Sequence, residues 1–157
     1  MSSRLLQDVS FCLKQAAAVL IIWFHEKGKS LPPFEPRSPI TVLIRQAVIQ
    51  LHDRYIFEER NVSVYPEIFI ISTDNTHRGK GLATEMYRRA IGQLRSQGYP
   101  LVSSTFTNPF SRKIGERLGF KIVSRLEFDE CKNADGSLAF GEAGKNQFAV
   151  DTVLDLQ

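Results

Sequence analysis

The stretch that decides the fold is residues 67–83, EIFIISTDNTHRGKGLA, a hydrophobic run that leads through a basic turn into a helix. The segment from Glu67 to Thr73 is rich in β-branched residues and predicts a strand. Gly98 is expected to end the helix, which extends to about Gln97. Its apolar residues recur at helical spacing on one face: Leu82, Met86, Ala90 and Leu94. Strand, turn and helix together predict one unit of an α/β domain.

The turn Arg78–Ala83 carries the clearest chemical signal. Its two glycines let a ligand approach the backbone, and the unpaired amides of a first helical turn favour an anion such as phosphate. Arg78 and Lys80 add positive charge, and an arginine can grip phosphate oxygens in bidentate fashion. The Walker and dinucleotide motifs do not fit, because Gly81 is followed by Leu82 and Ala83. On this segment alone, a solvated turn with helix-start glycines is an equal alternative.

Working outward, the chain alternates further strands and helices. Downstream we predict a strand Leu101–Thr107, a helix Pro109–Leu118 that ends at Gly119-Phe120, and strands Lys121–Cys131 and Gln147–Leu156. Upstream we predict strands Asp8–Lys14 and Val19–Phe24, a loop His25–Pro39 and a helix Ile40–Tyr55. The second of these strands is expected to be buried on both faces. Residues 15–18 fit either a turn or an alanine-rich helix. The pattern predicts an α/β domain with antiparallel ends.

Composition points to an ordinary globular domain. The chain has 157 residues, 43% of them hydrophobic and 24% charged, which suits a single domain, residues 1–157. A net charge of +3 is too small to predict nucleic-acid binding. Cys12 and Cys131 form neither a disulfide framework nor a metal cluster, so a reducing, cytoplasmic location is expected. The apolar run 16–24 is too short for a membrane span. A signal peptide is disfavoured by Asp8 and by the lack of a cleavage site.

A second segment, NPFSRKIGERLGF at residues 108–120, follows the next strand at a βαβ distance. The strand, the Arg-x-x-Gly-x-Ala turn, the helix and this segment together resemble the GNAT superfamily of acetyl-CoA-dependent N-acetyltransferases. Residues 103–106 and the long insert between the last two strands look like the invertebrate arylalkylamine (dopamine-type) branch. The resemblance covers residues 67–128 well and implies a mixed, mostly antiparallel sheet. In such a sheet a splayed parallel pair lies at the centre and helices flank it.

The resemblance also implies roles for individual residues. Coenzyme A would lie where two parallel strands separate, and its pyrophosphate would contact the turn. Glu67 is the implied general base, and the alternative is that it is an exposed carboxylate at the start of a strand. Because side chains alternate along a strand, Glu67, Phe69, Ile71 and Thr73 are expected on one face. Ser111 is the second implied catalytic residue, with a tolerated first-turn serine as its alternative. The implied cofactor contacts are Ile71, Ser72, Thr73, Arg78, Gly79, Lys80, Gly81, Leu82, Ala83 and Asn108, and no metal is expected. Asn108 fits a helix N-cap equally well.

The sequence also departs from the family pattern. Gly115 occupies the position at which many members carry a tyrosine general acid. The usual first strand and two helices are not recognisable before residue 8, so the chain resembles an N-terminally truncated member. The implied activity is acetyl or acyl transfer from coenzyme A to a primary amine of a small molecule, without nucleic acid or membrane. A catalytically impaired acetyl-CoA-binding pseudoenzyme or fragment is the alternative. A basic RNA-binding module is disfavoured because exposed aromatics are not interleaved along a sheet face.

Overall fold

The computed structural model describes residues 16–29, 55–133 and 135–157. Five strands and three α-helices follow one another in these ranges. The strands are β1 (Ala18–Glu26), β2 (Val64–Thr73), β3 (Leu101–Phe106), β4 (Lys121–Glu127) and β5 (Phe148–Asp155). The helices are α1 (Tyr55–Glu59), α2 (Leu82–Ser96) and α3 (Pro109–Leu118), and short 3₁₀ turns cover Asn75–His77 and Glu142–Gly144.

The strands form one mixed sheet in the order β1-β2-β3-β5-β4. Every neighbouring pair is antiparallel except β2 and β3, which are parallel. The predicted α/β fold, with a mostly antiparallel sheet, a central parallel pair and flanking helices, is therefore confirmed. Gly98 and Gly119 have positive φ angles of 82° and 88°, the left-handed conformation that ends helices α2 and α3 as expected.

The main core lies between one face of the sheet and helices α2 and α3, and we call this side the helix face. Helix α2 buries residues at positions i, i+3, i+4 and i+7, namely Tyr87, Ala90, Ile91 and Leu94. They pack against strand residues that include Ile68, Val102, Phe106 and Val150. Sequence spacing identified Ala90 and Leu94 correctly but missed the large side chains of Tyr87 and Ile91, which dominate this contact.

The opposite side of the sheet carries Glu67, and we call it the Glu67 face. A smaller cluster of Ile56, Tyr65, Leu101 and Val153 lies there. Helix α1 supplies Ile56 to this cluster, whereas Glu58 and Glu59 remain exposed. The remainder of the predicted helix Ile40–Tyr55, and the predicted strand Asp8–Lys14, lie outside the described residues.

A β-bulge in β2 changes which residues share a face. Ile21 pairs with Ile70 but its neighbour Ile22 pairs with Ile68, so Phe69 is an extra residue on β2. Because side chains alternate along a strand, one extra residue inverts the pattern beyond it. Glu67 therefore shares its face with Ile70 and Ser72, whereas Ile71 packs with Ile68 on the helix face. The predicted common face of Glu67, Phe69, Ile71 and Thr73 is wrong for this reason.

Three predicted strand descriptions also need correction. Strand β1 extends through His25 and Glu26, which were assigned to a loop. It is not buried on both faces, because Ile21 and Phe24 are 44% and 43% exposed. Strand β4 ends at Glu127 rather than Cys131, and turns follow it. Within the three described ranges, no helix combines the length and apolarity that a membrane crossing requires.

Candidate active site

The parallel strands β2 and β3 are joined at only one register position. Glu67 pairs with Ser103, and no further ladder pair continues from there toward the carboxyl ends of the two described strands. The backbone of β2 beyond Glu67 is paired with β1 on one side and has no strand partner on the side of β3. Carboxyl ends of separating parallel strands are where α/β sheets receive ligands. The predicted splay is thus present, and Ile71, Ser72 and Thr73 border it.

A buried serine fixes where the separation begins. The Ser104 hydroxyl donates to the Ile68 carbonyl at 2.9 Å and lies 3.0 Å from the Tyr87 hydroxyl. A side chain thereby satisfies a β2 carbonyl that no β3 amide reaches. Burial raises the pKa of Tyr87, partly offset by its bond to Ser104, so Tyr87 stays a neutral partner. This contact ties helix α2 to both strands at the base of the gap.

The turn after β2 presents an accessible backbone at the start of helix α2. Gly79 and Gly81 both have φ of 76°, and a Cβ added at either glycine would have no neighbour within 4 Å. Gly81 is the N-cap residue of α2 and supplies no side-chain cap, so the first-turn amides receive no bond from it. Arg78 and Lys80 lie in the same turn. Positive charge, bare backbone and a helix start fit the pyrophosphate of a coenzyme A molecule.

The structure shows helix capping at the second predicted cofactor segment. The Asn108 side chain accepts from the Ser111 amide at 2.9 Å, and Pro109 occupies the first helical position. The Ser111 hydroxyl donates to the Asn108 carbonyl at 3.1 Å. The N-cap role of Asn108 is therefore confirmed. Cofactor contact by Asn108 and catalysis by Ser111 remain predictions.

Glu67 is buried, so the reading of an exposed strand-start carboxylate is wrong. The strand begins three residues earlier, at Val64, and the Glu67 side chain is 2% exposed. Its Oε2 lies 2.7 Å from Nε2 of His25 on β1. The His25 ring stacks on Tyr65 with ring centroids 4.8 Å apart, which fixes the plane of the imidazole.

Further polar side chains surround Glu67 on the same face. The Thr105 hydroxyl lies 3.4 Å from Oε1 of Glu67 and 3.2 Å from Oδ1 of Asp151, which is itself 2% exposed. The Ser103 hydroxyl is buried and has no hydrogen-bond partner among the residues that the structure describes. Burial, followed by the charges of Asp151 and Glu67, raises the pKa of Tyr65 far above its ordinary value. Tyr65 therefore stays neutral beside Glu67, Asp151 and His25.

Gly115 is sealed by an aromatic ring. A Cβ at Gly115 would lie 2.2 Å from Cε2 of Phe106, which is far inside van der Waals contact. Phe106 is 2% exposed and packs against Phe120 with ring centroids 5.6 Å apart. No larger side chain fits at position 115 while Phe106 keeps this place. The absence of a tyrosine there is thus matched by the surrounding core.

Other reactive groups of the described residues lie apart from the cluster. Burial raises the pKa of the Cys131 thiol, which disfavours the nucleophilic thiolate. His77 and Asp74 form a local contact in the turn after β2. Within residues 16–29, 55–133 and 135–157, no three histidine, cysteine or acidic side chains are grouped so that they could hold a metal ion.

Sequence reasoning missed His25, Thr105 and Asp151. Asp151 stands inside the apolar run FAVDTVLD, and a charged residue in an otherwise buried strand signals a functional or paired group. His25 follows directly on the apolar strand run, so extending that strand by one alternation would have included it. Their proximity to Glu67 depends on the pairing of distant strands, which residue spacing does not reveal.

Comparisons with known proteins agree with this geometry. Residues 55–123 match the family model of the acetyltransferase (GNAT) domain. The structure of a candidate arylalkylamine N-acetyltransferase 7 from the yellow fever mosquito Aedes aegypti is 25% identical to this chain with a TM-score of 0.77, and the match covers 90% of this chain and 59% of that one. Arylalkylamine N-acetyltransferase 2 from the same mosquito is 16% identical with a TM-score of 0.72, and the match covers 100% of this chain and 82% of that one. The polyamine N-acetyltransferase of Drosophila melanogaster, which forms N-acetylagmatine, shares 14% identity and a TM-score of 0.62, covering 88% and 69%.

These matches confirm the resemblance identified in the sequence, both to the GNAT superfamily and to the insect arylalkylamine branch. The chain spans 59% of the length of the first mosquito protein. The other two structures, at 16% and 14% identity, support the fold alone.

Proposed function

We propose, from the match of residues 55–123 to the acetyltransferase (GNAT) domain, that the chain transfers an acetyl or acyl group from coenzyme A to a primary amine of a small molecule. The observation that carries the proposal is the single register position between β2 and β3. It leaves a gap with the basic glycine turn at one end and the buried Glu67 beside it. This arrangement supports a cofactor site with a candidate base beside it.

The cofactor contacts follow from the elements that border the gap. The turn Arg78–Ala83 would hold the pyrophosphate through backbone amides and two cationic side chains. The β2 segment Ile71–Thr73 would offer backbone groups to the pantetheine arm, because its side toward β3 has no strand partner. Asn108, two residues beyond the carboxyl end of β3, is proposed to contact the same arm. Acetyl-CoA supplies the activated acyl group as a cosubstrate.

The acceptor amine reaches the protein as an ammonium ion and must lose a proton before it can attack. Glu67 is proposed to accept that proton on its carboxylate, and general base catalysis of this kind contributes about 10²–10⁴-fold. A new N–C bond then replaces the C–S bond, and the departing sulfur takes up a proton. Ser111, on the first turn of α3, is proposed as the hydroxyl nearest that step. Because the Phe106 ring fills the space beside Gly115, α3 has no tyrosine at that position to protonate the sulfur.

The experiment that tests this proposal is isothermal titration of the chain with acetyl-CoA, followed by a thiol-release assay with arylalkylamines, polyamines and amino acids. We expect binding in the micromolar range and turnover with at least one class of amine. Failure to bind acetyl-CoA in a demonstrably folded protein would contradict the proposal.

Two variants of Gly81 separate cofactor binding from backbone strain. Both Gly81→Ala and Gly81→Glu place a side chain at a positive φ of 76°, so both carry the same strain. Only glutamate adds a negative charge where the pyrophosphate would lie. We expect Gly81→Glu to weaken acetyl-CoA binding by about fivefold relative to Gly81→Ala, because a charge at a helix start is worth about 1 kcal/mol. Equal affinities would remove this turn from the cofactor site.

The second candidate function is a catalytically impaired acetyl-CoA-binding protein. The packing of Phe106 against Gly115 favours it, because that position cannot carry an acidic hydroxyl. Acetyl-CoA binding without thiol release for any amine in the panel would establish this alternative.

A further inference from the structure

We propose that His25 is a positioning residue for the base: it keeps the buried Glu67 carboxylate ionised and oriented, so that the acceptor amine is deprotonated at neutral pH. The inference rests on the proposed acetyl transfer, within which it assigns a role to a residue outside the recognised motifs. His25 lies on β1, and neither the glycine turn nor the segment 108–120 includes it.

The contact between the two side chains is close and shielded. Nε2 of His25 and Oε2 of Glu67 are 2.7 Å apart, and the side chains are 13% and 2% exposed. His25 pairs with Tyr65 across the two strands while Trp23 pairs with Glu67, so the histidine reaches diagonally to the carboxylate. Stacking on Tyr65 holds the ring in the plane from which its N–H group can reach Oε2.

Burial explains why the carboxylate needs such a partner. A desolvated carboxylate tends to take up a proton, and a protonated Glu67 could not accept one from the amine. A second buried carboxyl, Asp151, is linked to Glu67 through Thr105 and adds repulsion that favours protonation further. A hydrogen bond from the imidazole stabilises the ionised form of Glu67, and a positive charge on the ring stabilises it more.

The proton balance involves one transfer. The ammonium N–H bond breaks and an O–H bond forms on Glu67, while the Nε2–H group of His25 continues to donate to Oε2. Thr105 supports the protonated state, because its hydroxyl oxygen can accept from Glu67 Oε1 when its own proton is donated to Asp151. The proton returns from Glu67 to solvent before the next turnover.

The titratable and charged groups that face this pair come from two of the described strands. Strand β2 contributes Tyr65, and β5 contributes Asp151. Thr105 of β3 is the uncharged link between the two carboxyls. Tyr65 stays neutral, so it adds no charge beside His25 and Glu67 at neutral pH.

The test compares His25→Leu, His25→Gln and the unsubstituted chain in rate profiles against pH. We expect His25→Leu to lower kcat by about tenfold at pH 7 and to shift the acidic limb of the kcat/KM profile upward by about one pH unit, with acetyl-CoA affinity unchanged. Glutamine at position 25 keeps an N–H donor but cannot carry a positive charge. The acidic limb of the kcat/KM profile of His25→Gln should therefore shift in the same direction by a smaller amount. Should His25→Leu fail to fold, His25→Gln carries the comparison.

Two further variants link the effect to Glu67. Glu67→Gln should lower kcat strongly, and adding His25→Leu to it should cause no further loss, because the histidine acts through the carboxylate. Glu59→Gln is the matched control, since Glu59 is exposed on α1. Profiles of both His25 variants that coincide with that of the unsubstituted chain would overturn the positioning role while acetyl transfer stands. An unsubstituted chain that neither binds acetyl-CoA nor releases thiol would instead overturn the proposed function, and the inference with it.

Discussion

Two helical glycines of this chain should respond to alanine in opposite directions. Gly115 lies in α3 with the Phe106 ring where a Cβ would be, at 2.2, 2.5 and 3.0 Å from three ring atoms. Gly92 lies on the exposed side of α2, where a Cβ would have no neighbour within 4 Å. We expect Gly115→Ala to destabilise the fold and Gly92→Ala to stabilise it.

The magnitude follows from two opposing effects. Alanine is favoured over glycine in a helix by about 1 kcal/mol, and both variants gain this. Overpacking a tight core costs about 1–3 kcal/mol, and Gly115→Ala alone incurs it. Phe106 cannot move aside cheaply, because it packs against Tyr87 and Phe120 with centroids 6.0 and 5.6 Å away. Because the helix-propensity effect is common to both, the difference between the two variants measures the overpacking cost, about 1–3 kcal/mol.

The assay is equilibrium unfolding in urea, monitored by circular dichroism. Gly92→Ala should raise the midpoint and Gly115→Ala should lower it relative to the unsubstituted chain. A Gly115→Ala protein as stable as the Gly92→Ala protein would show that a side chain fits against Phe106. Position 115 would then no longer be closed to an acidic side chain.

Three further outcomes are expected. Ser104→Ala should lower the free energy of unfolding by about 1–3 kcal/mol, because it removes the hydrogen-bond partner of the buried Ile68 carbonyl and of the Tyr87 hydroxyl. The control Ser96→Ala, at an exposed serine, should leave the free energy of unfolding unchanged. Equal effects of the two substitutions in urea unfolding would contradict the role of Ser104. Tyr65 and Tyr87 have pKa values raised by burial, so their contribution to stability is complete below pH 10, the ordinary tyrosine value, and is lost as the pH rises above it. The free energy of unfolding, measured in urea between pH 8 and 11, should therefore fall as the pH rises. A free energy that stays constant over this range would exclude this contribution of the two tyrosines. Asn108→Asp should keep the α3 cap and its stability but weaken acetyl-CoA binding in titration calorimetry, whereas undiminished binding would remove Asn108 from the cofactor site.

Local sequence patterns predicted the elements around the glycine turn because each of their signals lies within a few residues. The strand from Glu67, the turn and the helix that stops before Gly98 all follow from periodicity and from glycine conformation. The N-cap of α3 followed likewise from Asn108 preceding Pro109. The resemblance of these segments to a known superfamily then supplied the mostly antiparallel sheet with a parallel pair at its centre.

The composition of the buried cluster could not be predicted in the same way. Glu67, His25 and Asp151 come from three strands, and only their pairing brings them together. Alternation along β2 failed because the bulge at Phe69 adds a residue that no local pattern announces. His25 was missed for a simpler reason: the strand continues two residues beyond its apolar run, since pairing with β2 stabilises the polar residues His25 and Glu26.

The bulge at Phe69 bears on how this protein can diverge. Ile68 and Ile70 already face opposite sides of the sheet, with Phe69 as the extra residue between them, so loss of the Phe69 codon would leave a regular strand in which every later residue keeps its side. Ile71 would still pack on the helix face, and Ser72 would still lie on the Glu67 face. Loss of one residue from β2 is therefore expected to be tolerated at position 69.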